Sequence, residues 1–342
     1  MILATIWFLL WGLLWAIYFI TDGYDLGIGS LLPFLGRDES RRRVMLGAVG
    51  PLWDGFEVWL LTAGGVTFAA FPKMYAVMFS AFYTPLMLLL FALILRGVSF
   101  EFRGQVESPT WRKIWDACIF LGSLVPAVLF GVAFANIFRG IPLDAQGVYQ
   151  GNLFTLLNPY GLLGGVLFLL FFLTHGAIML AHRTEGELQK DAARAANRLW
   201  YGWLIAAVVC LVASAFSTNL YSIYLAHPAL FLVIALAVAA LLGVKVFLIK
   251  GNYRLAWLSS AVAILGVVFY GVIGLYPNML PSSLDPSYSV TVSGAASTAL
   301  TLTIMLVLGL IFLPIVIGYQ FWAYRLFAGK VTENTLAAED TY

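Results

Sequence analysis

Four acidic residues lie inside apolar stretches of the chain: Asp22 and Asp25 in TDGYDLGIG (Thr21 to Gly29), and Asp54 and Glu57 in GPLWDGFEVWL (Gly50 to Leu60). Each pair is spaced i,i+3, which puts its two carboxyls on one face of a helix. A charged side chain near a bilayer centre costs roughly 2.5–3.5 kcal/mol on insertion scales, and less near an interface. Such residues are tolerated when they face a bundle interior, where they mark an ion or proton path. Carboxyls held close together share charge unwillingly, so one member of the group keeps a proton that it can pass on. The chemistry these spacings point to is proton uptake and relay. The plainer alternative is that the acids cap helices or pair with arginines such as Arg96 and Arg103, which follow the third apolar span.

The elements that must position these acids follow from composition. Hydrophobic residues make up 62% of the 342 residues and charged ones 11%, a balance that leaves a soluble domain no polar surface to show to water. The chain therefore reads as an all-α polytopic membrane protein. A hydrocarbon core about 30 Å thick needs about 20 apolar residues per helix. Nine spans satisfy this, over 2–25, 46–70, 75–96, 115–138, 160–182, 199–217, 227–249, 255–276 and 299–325. The first has no basic leader or small-residue cleavage site, so it is expected to be a retained helix and not a signal peptide. Phe71-Pro72-Lys73-Met74 joins spans two and three as a tight hairpin.

With these spans, seventeen of the nineteen Lys and Arg fall on one side, and only Lys73 and Arg139 on the other. The positive-inside rule then places the N-terminus outside and the C-terminus in the cytoplasm. All four acids come to lie in the cytoplasmic half, and span two starting at Leu46 would carry Asp54 about 12 Å inward. The Arg41-Arg42-Arg43 run is a cytoplasmic anchor, and with a net charge of +2 no nucleic-acid partner is expected. Phe19-Ile20-Thr21-Asp22-Gly23 is echoed by Phe172-Leu173-Thr174-His175-Gly176, and Gly12 by Gly165, at one offset of 153. That echo suggests two parallel four-helix bundles, 1–138 and 139–276, followed by a ninth peripheral helix and cytoplasmic tail over 277–342.

Other residues say less. Cys118 and Cys210 sit in apolar segments and read as structural thiols, without a disulfide or metal site. Haem ligation in a bundle needs two axial ligands on facing helices at one depth. His175, His182 and His227 fall at three different depths, so they read as hydrogen-bonded or interfacial histidines. Gly27-x-Gly29 follows no strand and is not a nucleotide loop; with Gly23 it reads as close helix contact.

The two acidic stretches, Asp22-Gly-Tyr-Asp-Leu-Gly-Ile-Gly29 and Gly50-Pro-Leu-Trp-Asp-Gly-Phe-Glu-Val-Trp-Leu60, resemble subunit II of the cytochrome bd-type quinol oxidases. The resemblance continues through Gly64 to Pro72 (GGVTFAAFP), Arg96 to Arg103 (RGVSFEFR), Leu157 to Leu163 (LNPYGLL), Tyr276 to Ser283 (YPNMLPSS) and Tyr319 to Trp322 (YQFW). It spans nearly the whole chain, and it too implies two four-helix bundles plus one helix. It further implies a subunit of a bacterial inner-membrane complex that couples quinol oxidation to reduction of oxygen to water. In that family subunit I holds two b-type haems, one d-type haem and the quinol site. The chain itself would be haem-free and would pack on subunit I among membrane lipid and quinone, with a small single-helix accessory subunit as a further partner.

In the family the Trp-Asp of this motif lies at the mouth of a cytoplasmic proton path, which carries over onto Trp53 and Asp54. The expected path residues are thus Asp54, Asp22, Asp25, Glu57 and Trp53, with Arg96 and Arg103 as compensating or interface charges. Phe56 stands where the family usually has Asn, a departure that points towards a cyanide-insensitive type of branch. Two other classes use the same acids: a proton-coupled secondary transporter, and a scaffold subunit with the acids as interface pairs. A transporter wants a polar midplane site with broken helices in both halves, and the second half here is nearly featureless.

Overall fold

The structure, a computed structural model, describes residues 2–50, 53–327 and 329–332. It is almost entirely helical. The first half contains α1 (Ile2–Leu35), α2 (Glu39–Gly47), α3 (Trp53–Ala70), α4 (Pro72–Ala81), α5 (Tyr83–Phe102) and α6 (Pro109–Arg139). After the short α7 (Leu153–Leu156) come α8 (Pro159–Arg183), α9 (Gly186–Ser217), α10 (Tyr221–Ala226), α11 (Phe231–Ile249) and α12 (Tyr253–Leu275). A small hairpin of β1 (Asn278–Leu280) and β2 (Val290–Thr291), then α13 (Val292–Ala295), lead into α14 (Ala299–Leu326).

Helix starts are written locally in the sequence. Ser108 and Asn158 cap α6 and α8 by accepting the N–H of Trp111 and Gly161, and a proline follows each cap at the first helical position. Asn252 and Thr298 cap α12 and α14 in the same way. Gly140 ends the path out of α6 with φ +88°, a conformation that favours glycine.

Among the described residues eight helices are long and apolar enough to cross a membrane: α1, α5, α6, α8, α9, α12, α14 and the segment Pro228–Ile249. The second expected span differs. Residues Glu39–Gly47 form the separate polar helix α2, and α3 starts at Trp53 and not near Leu46. The intervening Pro51 and Leu52 lie outside the described residues. With only eighteen residues and two acids near its start, α3 is not among these eight. The third span is broken at Phe82 into α4 and α5, and α9 begins thirteen residues before the expected 199 because its polar first turns carry no hydropathy signal.

The interior is built by α1, α6, α8 and α12, which pack against one another. Around them α3 lies on α1, α5 on α6, α9 on α8 and α11 on α12. The α1–α8 crossing brings backbones together: a Cβ on Gly27 would stand 2.0 Å from the Phe172 carbonyl oxygen, and one on Gly176 would stand 2.7 Å from the Ile28 nitrogen. This is the close approach that small residues permit between membrane helices. Beside it Trp15, Phe19, Phe130, Phe134 and Phe168 pack edge to face, with ring centroids 5.2–6.1 Å apart.

Candidate functional site: a buried acid–arginine cluster

Asp22 on α1 and Arg96 on α5 are both fully buried, and Arg96 donates through Nη2 to Asp22 Oδ1 at 2.6 Å. The same nitrogen donates to Glu57 Oε1 on α3 at 2.8 Å. Three helices are thus tied by one guanidinium. The second oxygen of Asp22 accepts a hydrogen bond from the Tyr18 hydroxyl at 2.9 Å. Tyr18 was legible in principle, since it sits one helical turn before Asp22, but its ring reads as core until the fold turns it onto the carboxylate.

Room for Arg96 comes from glycine. A Cβ on Gly122 of α6 would stand 2.8 Å from the Arg96 Cβ and 2.7 Å from the Ala92 oxygen, so α5 and α6 touch there. Trp53 packs on Gly97 and on the Phe100 ring, at the start of α3. The Nε and Nη1 of Arg96 are buried without a hydrogen-bond partner, as are both carboxyl oxygens of Asp25. Further along α1, the hydroxyls of Ser30 and of Ser123, which faces Gly29, are in the same condition. Buried polar atoms of this kind are normally satisfied by ordered water. The arrangement is therefore a charged core around Arg96 with a line of hydratable groups beside it.

Two expected members lie elsewhere. Asp54 is exposed, on the wall of a groove of about 500 Å³ between α3 and α14 that Phe56, Tyr319 and Gln320 also line. The expected depth of about 12 Å fails because α3 begins at Trp53, which puts Asp54 in the first turn. Residues three apart are also offset by roughly 60° around a helix, enough to turn Glu57 inward and Asp54 outward. Arg103 does not compensate the cluster. It binds Asp116 through Nε at 2.6 Å and Glu39 through both terminal nitrogens at 2.9 and 3.0 Å. Asp116 also takes Arg42, at 3.1 Å, so Glu39, Arg42, Arg103 and Asp116 form their own network, and these acids gave no signal in the sequence. Arg103 lies just beyond α5, and its guanidinium is held more firmly protonated than usual, the hydrogen bonds to Asp116 and Glu39 outweighing burial.

Phe56 is buried between Tyr24 and Tyr324, with ring centroids 5.6 and 5.7 Å away. It also lines the groove that holds Asp54, so that stretch of the groove wall is apolar. His175 is fully buried, with Nδ1 2.6 Å from the Ser260 hydroxyl and Nε2 3.0 Å from the Ile20 carbonyl. A carbonyl only accepts, so Nε2 carries the proton. Both ring nitrogens are engaged, and His175 offers no lone pair directed at open space.

The chain was compared with known proteins. Residues 3–327 match the family described as cytochrome bd terminal oxidase subunit II. The cytochrome bd ubiquinol oxidase subunit 2 of Bacillus subtilis is 37% identical, over 97% of this chain and 98% of its own length. A probable cytochrome oxidase subunit 2 of Haemophilus influenzae is 36% identical over 97% and 96%, and the cytochrome bd-I ubiquinol oxidase subunit 2 of Escherichia coli 35% identical over 98% and 97%. Among solved structures, a chain of the bd oxidase from Geobacillus thermodenitrificans shares the fold with a TM-score of 0.78, covering 96% of this chain and 99% of its own, at 17% identity. By the family match and these full-length identities, the chain belongs to the cytochrome bd terminal oxidase subunit II family.

Proposed function

We propose that this chain is the haem-free subunit of a bd-type quinol oxidase in a bacterial inner membrane. It packs on a haem-bearing subunit and supplies part of the route by which cytoplasmic protons reach the site of oxygen reduction. The observation that carries this is the Asp22–Arg96–Glu57 cluster with Asp25 unpartnered beside it. Three acids and one arginine in an otherwise apolar interior are costly to keep there without a use for the charge. In this reading Arg96 holds Asp22 and Glu57 in place, and Asp25, with no protein hydrogen bond to give up, is the group that takes and releases a proton through water. Asp54, exposed at the start of α3 beside Trp53, exchanges protons with the cytoplasm at the mouth.

The topology belongs to the same proposal: nine crossings, with α3 as the one shortened by its acids, an outside N-terminus and a cytoplasmic C-terminus. The alternation of seventeen basic residues to one side supports it. So does the nested packing of α1, α6, α8 and α12, which fits two four-helix bundles joined at the α1–α8 crossing, with α14 outside them. The haems, two b-type and one d-type, the quinol and any small accessory subunit belong to the partner side of the complex. The oxidase is expected to draw electrons from quinol there.

The scaffold reading has one observation in its favour: Arg96 pairs Asp22 and Glu57 as a purely structural tie would. Asp54→Asn distinguishes the two, because it removes an exposed proton-exchanging carboxyl and no contact of the cluster. Assembly and haem content of the complex should be retained while quinol oxidase turnover falls at least tenfold, the lower range for loss of a positioned proton-transfer group being about 10²-fold. Turnover at the wild-type rate would move the mouth away from Asp54.

A further inference from the structure

Three arginines are buried among the described residues, and they are not alike. Arg96 and Arg103 each hold carboxylates, whereas among the described residues the guanidinium of Arg183 has no hydrogen bond and no ion pair, although the residue is only 9% exposed. Its Nε is sealed from solvent without a partner. An arginine presents five donors in a planar fork, and leaving them unused inside a protein is costly. The group that matches such a fork is a planar carboxylate or a phosphate.

The surroundings choose between them. Arg183 is the last residue of α8. Arg254 is exposed in the first turn of α12, a helix that packs against α8, and Lys330 lies just beyond α14. Lys330 is anchored there by donating to the Thr184 carbonyl at 2.8 Å, and the Val331 N–H donates to the Arg183 carbonyl at 2.7 Å. None of these three cations has an acidic partner among the described residues. Several other cations on the same side are matched: Arg37, Arg41 and Arg194 share Asp191, Arg42 and Arg103 share Asp116, and Lys190 holds Glu187. Directly along α12 from Arg254, Leu255, Leu258 and Val262 are exposed on one helix face. Basic residues at the helix ends are therefore followed by an apolar stripe running along α12.

We propose that Arg183, Arg254 and Lys330 form a binding site for the phosphate of an anionic membrane lipid, with an acyl chain lying along Leu255, Leu258 and Val262. Basic recesses between helix ends on the cytoplasmic side are where acidic headgroups bind. The site is separate from the acid–arginine cluster and rests on the proposed orientation, which puts these helix ends in the cytoplasmic leaflet. It does not depend on proton conduction. The lipid would brace the ends of α8 and α12 against the segment that follows α14.

The test uses the complete oxidase complex, stripped of lipid in detergent and titrated with phosphatidylglycerol, with phosphatidylcholine, or with inorganic phosphate. Bound lipid is counted by native mass spectrometry. Phosphatidylglycerol should bind in preference to phosphatidylcholine, and Arg183→Gln and Arg254→Gln should each weaken it about fivefold, the weight of one basic residue near a charged surface. Arg254 is exposed, so its variant keeps the test valid if Arg183→Gln does not assemble. Wild-type affinity in R254Q, or equal binding of the two lipids, would overturn the proposal. Inorganic phosphate displacing phosphatidylglycerol at equal concentration would make this a soluble-anion site and overturn the lipid assignment. A carboxylate of the partner subunit against Arg183 in a structure of the complex would overturn it as well.

Discussion

Asp22 and Asp25 stand one helical turn apart on α1, yet their surroundings differ in kind. Asp22 has an arginine on one oxygen and a tyrosine hydroxyl on the other, whereas neither oxygen of Asp25 has a protein partner. Their amide variants should separate accordingly. Asp22→Asn breaks a charged hydrogen bond and leaves Arg96 half-compensated, so the complex should lose about 1.5–3 kcal/mol of stability. Asp25→Asn breaks no protein hydrogen bond among the described residues, removes the proton-exchanging group, and should melt at or above the wild-type temperature while slowing turnover. Thermal unfolding beside oxidase assays reads both. If D25N unfolds earlier than D22N, Asp25 is a structural carboxylate and its place in the proton route is lost.

At the scale of elements, the site depends on how closely helices approach. Gly27 faces the Phe172 carbonyl, and Gly122 makes room for the base of Arg96. Rigid helices cannot yield locally to a methyl group aimed at a backbone oxygen 2.0 Å away. Gly27→Ala should force α1 and α8 apart and cost about 1–3 kcal/mol, the usual range for overpacking. Gly104, exposed with nothing within 4 Å of an added Cβ, should accept alanine within about 0.5 kcal/mol. The comparison is a pair of thermal melts. Equal melting temperatures would mean that the α1–α8 crossing is looser than its geometry. Phe56 belongs to this scale too: wedged between tyrosines of α1 and α14, it docks the outer helix.

For the whole molecule, the last helix is the telling part. α14 is almost wholly exposed, and it is fastened by a few contacts: the Trp7 indole N–H to the Leu302 carbonyl, the Trp59 indole N–H to Gln320, and the Tyr24–Tyr324 hydroxyl pair. An apolar helix with so little of its surface covered is suited to lipid or to another membrane subunit. His227 is exposed, and His175 has both ring nitrogens engaged. The purified chain without its partner should therefore be colourless, haem appearing only on co-expression. A stoichiometric Soret band on the folded, isolated chain would show ligation here and return attention to His175.

The class of protein, most of its membrane helices and the existence of a charged interior were legible in the sequence alone. Apolar length and cap residues act locally, and an acid in an apolar run must be compensated wherever the helix lies. The pairing of Arg96 with α1 was within reach because Arg96 is the basic residue nearest the membrane on the third span. The rest depended on tertiary structure. Whether Glu57 or Asp54 turned inward depended on where α3 begins, which hydropathy does not report. Arg103 went to Glu39 and Asp116 because α2 and the start of α6 fold over the end of α5, contacts between segments far apart in the chain. The unpartnered guanidinium of Arg183 shows itself only when the helix ends around it are assembled. Spacing reports which residues share a face; which face turns inward is settled by packing against the other helices.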